Sequence, residues 1–101
     1  MIVVMVNLAD EAEARRIGEG LLRKRLIGNY STWITLTAQL IDNEAVEIKV
    51  ATMMMKTTVR WFDDISEYIA SESRIDMMDL VAFDTEKVEP HFQQWLNDST
   101  K

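Results

Sequence analysis

The sequence contains no cysteine, a single histidine, His91, and no apolar run of the roughly 18 residues that a membrane helix needs. Without cysteine the chain can form no disulfide, no thiolate metal site and no cysteine nucleophile. With one imidazole, a single subunit cannot build a zinc or copper site from several histidines. The apolar start, Met1–Val6, lacks the basic residues and the cleavage site of a signal peptide, so we expect a cytoplasmic protein with no membrane partner.

The charge is unbalanced towards acids, with 17 acidic and 11 basic residues and a net charge of −6 at pH 7. Nucleic acid and anionic membranes would repel such a protein at long range, which argues against both as partners. A hydrophobic content of 48% is too high for a disordered chain, and a length of 101 residues predicts one domain, 1–101. No GxSxG, Walker or GxGxxG motif occurs, so we expect no enzyme, with catalysis left as the minor alternative.

One unit, an apolar strand followed by an amphipathic helix, occurs twice. The two copies are Ile2–Val6 with Glu11–Arg25 and Val46–Met55 with Arg60–Ser71. A further strand candidate follows each helix, at Tyr30–Ile41 and at Met77–Phe83, and Pro90 opens a short C-terminal helix. Two β-α-β units predict an α+β, ferredoxin-like (split βαβ) sandwich, in which two main helices cover one face of an antiparallel sheet.

Local patterns refine this prediction. Asp10 and Glu13 have the spacing of a capping box at the start of the first helix. Ile2–Val6 is apolar throughout, which is typical of a central strand buried on both faces. The third strand alternates apolar and polar residues up to Val50 and is almost entirely apolar over Ala51–Met55. That change predicts an end that projects beyond the helices, towards a neighbouring subunit.

Few residues point to chemistry, and each has a structural alternative. Lys56 follows an apolar strand and precedes a helix, where it could bind an anion with the free amides of the helix start, or simply be solvated. Asp76 and Asp79 flank the fourth strand and could reach a hard cation, or be solvated acids. His91 is interpreted as a surface or capping residue in preference to a metal ligand. Five methionines are interpreted as residues that fill the core, in preference to thioether ligands of a copper site. They are Met53, Met54, Met55, Met77 and Met78.

The order of these motifs resembles that of the CutA family of divalent cation tolerance proteins. The matching segments are Ile2–Val6 with Asp10-Glu11 and Ala14, then Leu21-Leu22 and Arg25-Leu26, then Met55-Lys56-Thr57-Thr58, then Trp95-Leu96-Asn97. The resemblance implies a homotrimer, similar to the PII signalling proteins, in which neighbouring sheets pair edge to edge. It also implies a role in tolerance of, and response to, divalent metal ions.

The sequence departs from this family where the family's metal ligands are proposed. Asn29 stands where family members usually carry cysteine, and of the family's His-Pro-Tyr loop only the final acid remains, as Asp79. The family resemblance alone therefore implies a copper-like divalent cation, because the family's usual ligands are missing from this sequence. We predict no cofactor for which the sequence also supplies a set of binding residues.

The resulting prediction is a homotrimeric, non-enzymatic binding or regulatory module of CutA type. Its ligand site is predicted in an inter-subunit cleft near Lys56, Thr57, Thr58 and Asp79, where Lys56 holds an anionic group. Three alternatives stay open: a PII-like trimer that binds a small anion or nucleotide, weak cation binding by acids from several subunits, and a structural trimer without a ligand. The sequence does not identify the ligand or any protein partner.

Overall fold

The structure is a computed structural model that describes residues 1–75 and 78–101. Within these residues the chain forms four strands and three α-helices, with one 3₁₀ turn. In chain order they are β1 (Ile2–Leu8), α1 (Glu11–Arg23), β2 (Asn29–Ile41), β3 (Glu44–Thr57), the 3₁₀ turn Val59–Trp61, α2 (Phe62–Glu72), β4 (Val81–Asp84) and α3 (Pro90–Ser99).

The four strands form one sheet in the order β2-β3-β1-β4, and every neighbouring pair is antiparallel. Each of the two main helices therefore connects two strands that are separated in the sheet by one other strand. This order with two β-α-β units is that of a ferredoxin-like sandwich, so the predicted α+β fold class is confirmed.

The hydrophobic core lies between the sheet and the two main helices. β1 alternates, with Val4 and Val6 fully covered and Val3 and Met5 only partly so. The covered residues face the buried stripes of α1 and α2. Burial of β1 on both faces, predicted from its uninterrupted apolar sequence, is therefore wrong for the subunit alone, because α1 and α2 both lie on one face of the sheet and Val3 and Met5 on the other face are only partly buried.

The hairpin of β2 and β3 is much longer than its neighbour in the sheet. Its two turn residues, Asp42 and Asn43, both have positive φ, 51° and 66°, as a two-residue type I′ turn requires. β1 ends opposite Ala51 of β3. Between Ala51 and the turn, the two strands of the hairpin therefore pair only with each other. The fold measures 47 Å along its longest axis, as expected from the projecting end that the sequence predicted.

Several predicted boundaries differ from the structure, among them the end of α1 and both ends of β4. The helix predicted to Arg25 ends at Arg23, because Arg25 itself adopts a positive φ of 58°. The strand predicted over Met77–Phe83 is shorter and later, at Val81–Asp84; residues 78–80 lie before it, and Met77 is outside the described residues. The prediction from side-chain hydrophobicity placed the start of this strand too near the N-terminus. A strand is defined by the backbone hydrogen bonds that it forms with β1, and side-chain hydrophobicity carries no information about them.

Candidate functional site

Lys56 lies near the end of β3, on the face of the sheet that α1 and α2 leave uncovered. Its carbonyl accepts a hydrogen bond of 2.8 Å from the amide of Gly28, which fixes the backbone there. Its Nζ lies 5.6 Å from the centre of the Phe92 ring, a cation–π contact with α3. Among residues 1–75 and 78–101 it forms no salt bridge, so its ammonium group keeps donors for an anion.

The two threonines that follow have different roles. Thr57 is fully buried, and its hydroxyl donates a 2.6 Å hydrogen bond to the carbonyl of Leu26. It therefore joins the end of β3 to the segment after α1. Thr58 is partly exposed, and its side chain makes no capping bond to the 3₁₀ turn that it precedes. Of this pair, only Thr58 has a hydroxyl that can meet a ligand without breaking a buried contact.

Asp79 lies in the loop before β4, where Asn7 holds its carboxylate at two points. One oxygen accepts from the Asn7 backbone amide at 2.9 Å and the other accepts from the Asn7 Nδ2 at 2.8 Å. The Thr52 hydroxyl in turn donates to the Asn7 Oδ1 at 2.6 Å and is hydrogen-bonded to the hydroxyl of Thr35. A chain of four polar side chains therefore crosses the uncovered face of the sheet and ends at Asp79.

Within one subunit the four predicted site residues do not form one site. Lys56 pairs with Val3 of β1, whereas Asp79 is bound to Asn7, four residues further along the same strand. At about 3.3 Å per residue these positions are about 13 Å apart. Lys56 and Asp79 therefore lie at separate points along the sheet of one subunit.

Asp79 also borders a groove of about 560 Å³ between the projecting hairpin and the loop after α2. Its walls are mainly apolar, with Ile48 and Val50 from β3 and Ile75 from the loop, and the polar residues lie around them. This volume is in the range of small-molecule pockets. Sequence reasoning missed the groove, because the end of β1, the hairpin and the loop after α2 are each more than twenty residues apart along the chain and only the fold brings them together.

A buried carboxylate holds the loop in place beside this groove. Glu13 is 2% exposed; its Oε1 accepts from the backbone amide of Arg74 at 2.6 Å and its Oε2 accepts from the amide of Ala9 at 3.1 Å. Asp10 caps the helix through the Glu13 amide and binds the Arg74 guanidinium, at 2.8 Å in each case. These two bonds lower the pKa of Asp10, the backbone bond most, and Asp10 in turn raises the pKa of Arg74. The predicted cap by Asp10 is therefore present, but Glu13 accepts from the amide of Ala9 instead of that of Asp10, so the reciprocal half of the capping box is replaced by bonds that anchor the loop.

The described residues do not fit a resident metal ion within one subunit. Among residues 1–75 and 78–101 there is no group of three or more His, Cys, Asp or Glu side chains placed to hold one. His91 lies at the surface, with its Nδ1 2.8 Å from an oxygen of Glu89, the residue that caps α3. Met53 and Met55 are completely buried in the core, as their interpretation as core filling predicted; Asp76 and Met77 lie outside the described residues.

Beside its chain of polar side chains, the uncovered face of the sheet carries several large apolar side chains. Trp33 of β2, Met54 of β3 and Phe83 of β4 share this face with Val3 and Met5. Trp33 is 43% exposed and Phe83 is 54% exposed.

No helix in the described part of the chain has the length and apolarity to cross a membrane.

The fold is closely similar to solved structures from three prokaryotes. CutA1 from Pyrococcus horikoshii superposes with a TM-score of 0.94 at 22% identity, covering 100% of this chain and 99% of that one. The periplasmic divalent cation tolerance protein CutA from Archaeoglobus fulgidus gives 0.95 at 17% identity, and the divalent cation tolerance protein CutA1 from Thermus thermophilus gives 0.93 at 22%, each covering 100% of both chains. No curated protein sequence matches the chain.

Family membership is shown by the sequence itself. Residues 2–99 match the family described as CutA1 divalent ion tolerance protein, which is nearly the whole chain. The resemblance predicted from Met55-Lys56-Thr57-Thr58 and the other short motifs is thereby confirmed. This chain belongs to the CutA1 divalent ion tolerance family.

Proposed function

We propose that this CutA1-family chain acts as a homotrimeric, non-enzymatic binding module in the cellular response to divalent cations. The observation that carries the proposal is the uncovered apolar sheet face, together with the projecting hairpin. Each would be stabilised by contact with further copies of the chain. The divalent-cation role comes from the family, and its cytoplasmic location stays a prediction, since the Archaeoglobus fulgidus relative is described as periplasmic.

The argument for assembly rests on exposed apolar surface and on an exposed strand edge. Leu40, near the hairpin tip, is 74% exposed, and large side chains on both faces of the hairpin lack cover within the described part of the subunit. β2 is an edge strand of 13 residues, so a long row of its backbone groups has no partner in the sheet. Natural proteins protect such edges, and pairing with a second copy is one way to do so. Three copies is the number that the family resemblance implies.

The ligand site that we propose is at the Lys56 end of the sheet. Lys56 supplies an ammonium group that makes no described ion pair, and Thr58 supplies a hydroxyl that caps nothing. A small anion, such as a phosphate group, is the ligand that these donors favour. Thr57 supports the site from beneath through its buried bond to Leu26, and Asp79 joins it only if a neighbouring subunit contributes that residue.

Native mass spectrometry combined with thermal unfolding tests both parts. Protein purified without added ligand is expected to show a three-subunit mass, and pyrophosphate is expected to raise its unfolding temperature relative to chloride at equal ionic strength. Lys56→Ala should keep the trimer and lose the pyrophosphate effect, whereas Lys87→Ala, an exposed lysine in the loop before α3, should keep both.

The outcomes separate the two parts of the proposal. A monomeric mass would remove the assembly and every site between subunits. A trimer whose unfolding temperature does not respond to pyrophosphate would overturn the anion site and leave a structural trimer. An equal response in the wild type and in Lys56→Ala would place the anion elsewhere on the protein.

A further inference from the structure

We propose that Arg25 is a positioning residue for the anion site at Lys56 and acts through the C-terminal helix α3. Its guanidinium group binds the end of α3, and the Phe92 ring of the same helix lies against the Lys56 ammonium group. This role rests on the proposed function of Lys56 as the anion-binding residue. The contacts that support it lie within one subunit and involve only residues that the structure describes.

The backbone conformation of Arg25 is one that glycine normally provides. α1 ends in a Schellman motif, in which the Arg25 amide donates to the Leu22 carbonyl at 2.9 Å. The second bond of the motif joins the Leu26 amide to the Leu21 carbonyl at 3.1 Å. Arg25 has a φ of 58°, in the left-handed region that is unfavourable for residues with a side chain. Glycine would end α1 with less strain, so the end of α1 alone does not account for an arginine here.

The side chain of Arg25 caps a different helix. Its Nη2 donates to the carbonyl of Asp98 at 2.8 Å and its Nε donates to the carbonyl of Ser99 at 3.3 Å, both at the end of α3. The last turn of α3 contains no basic residue, so the cation that a helix C-terminus favours is supplied by Arg25. The Arg25 carbonyl also accepts from the amide of Lys101 at 2.9 Å. Three bonds therefore tie residues 98–101 to the end of α1.

The position of α3 determines the position of the Phe92 ring. Leu96 of α3 is fully buried and packs against Gly28, where a side chain would collide with it. The Gly28 amide donates to the Lys56 carbonyl at 2.8 Å, so α3 packs directly beside Lys56. Phe92 is four residues before Leu96, on the same side of the helix, and its ring centre lies 5.6 Å from the Lys56 Nζ. Leu96 and Arg25 hold α3 at two points, which together fix the direction of the helix and place the ring.

The ring prepares Lys56 for an anion. A lysine side chain is long and flexible, and it loses this freedom when a ligand holds its ammonium group. The negative face of an aromatic ring attracts the ammonium group, so the Phe92 contact restricts Lys56 before a ligand arrives. An ammonium group has three donors and the ring covers one side of it, which leaves donors for the anion. Arg25 therefore lowers the ordering cost of anion binding through α3, without contacting the anion.

NMR of protein labelled with ¹³C at lysine tests this role, because protons close to the face of an aromatic ring are shifted upfield. The ε-methylene signal of Lys56 is assigned by its absence from Lys56→Ala. Arg25→Gly and Phe92→Leu are each expected to move this signal to the shift of a solvated lysine, and to weaken pyrophosphate binding about two- to fivefold. Arg25→Gly introduces the residue that the end of α1 favours, so the variant is expected to fold.

Arg23→Ala is the matched control, since Arg23 is an exposed arginine two residues earlier that pairs with Glu19 on α1. It should change neither the Lys56 signal nor the pyrophosphate affinity. An unchanged Lys56 signal in Arg25→Gly, or an unchanged affinity, would overturn the role of Arg25 and leave the anion site in place. A wild-type protein that binds no pyrophosphate would overturn the anion site itself, and the role of Arg25 with it.

Discussion

Replacing Glu13 by glutamine is the sharpest test of how this fold holds its loop. Both oxygens of the buried carboxylate accept from backbone amides, at 2.6 Å from Arg74 and at 3.1 Å from Ala9. Glutamine has nearly the same shape but only one acceptor oxygen. Its NH₂ group would therefore face one of the two amide donors, and both groups would be buried without an acceptor.

The size of the effect follows from that mismatch. One buried unsatisfied donor costs about 1–3 kcal/mol, and hydrogen bonds that lose the charge of their acceptor are weakened as well. We expect Glu13→Gln to lower the free energy of unfolding by about 2–4 kcal/mol. Glu11→Gln is the matched control, because the exposed Glu11 carboxylate pairs only with Arg15 one turn away among the described residues, a contact worth less than about 0.5 kcal/mol.

Urea unfolding at one fixed protein concentration measures both variants under the same conditions of assembly. Amide hydrogen exchange at Arg74 provides a local readout, since its donor bond to Glu13 should protect it in the wild type and not in Glu13→Gln. If the two glutamine variants unfold at the same urea concentration and Arg74 exchanges at the wild-type rate, the buried carboxylate does not anchor the loop.

Two further predictions concern the end of β3 and the start of α3. Thr57→Val should cost about 1–3 kcal/mol in urea unfolding because it leaves the Leu26 carbonyl without its buried donor, whereas Thr58→Val should cost much less; equal losses would contradict the different roles of the two threonines. The pKa of Glu89 is lowered from its ordinary 4.5, mainly by the Phe92 amide that it caps and then by His91. The contribution of Glu89 to stability is therefore complete above pH 4.5, and it is lost as the pH falls through the lower pKa of the folded protein. Glu89→Gln should therefore be less stable than the wild type in urea at pH 7, and the difference should shrink as the pH falls below 4.5; a constant difference would refute this assignment.

The sequence alone determined the elements and their class. An uninterrupted apolar run identified β1. Hydrophobic periodicity identified both main helices, since burial of one helix face imposes its period directly on the sequence. The Asp10–Glu13 spacing predicted the helix cap, because capping is a contact between residues three apart. The order of short motifs was enough to predict the family, which the match over residues 2–99 confirms.

Only the tertiary structure decided which distant residues meet. The sequence placed Lys56 and Asp79 in one predicted site, but the register of β1 with β3 separates them within a subunit. Thr57 was placed in the same predicted site, and its position on the helix-facing side of β3 buries its hydroxyl against Leu26. Glu13 with Arg74, and Asp79 with Asn7, are pairs more than sixty residues apart. Their contacts depend on the packing of strands and loops, which leaves no periodic signal in the sequence of either partner.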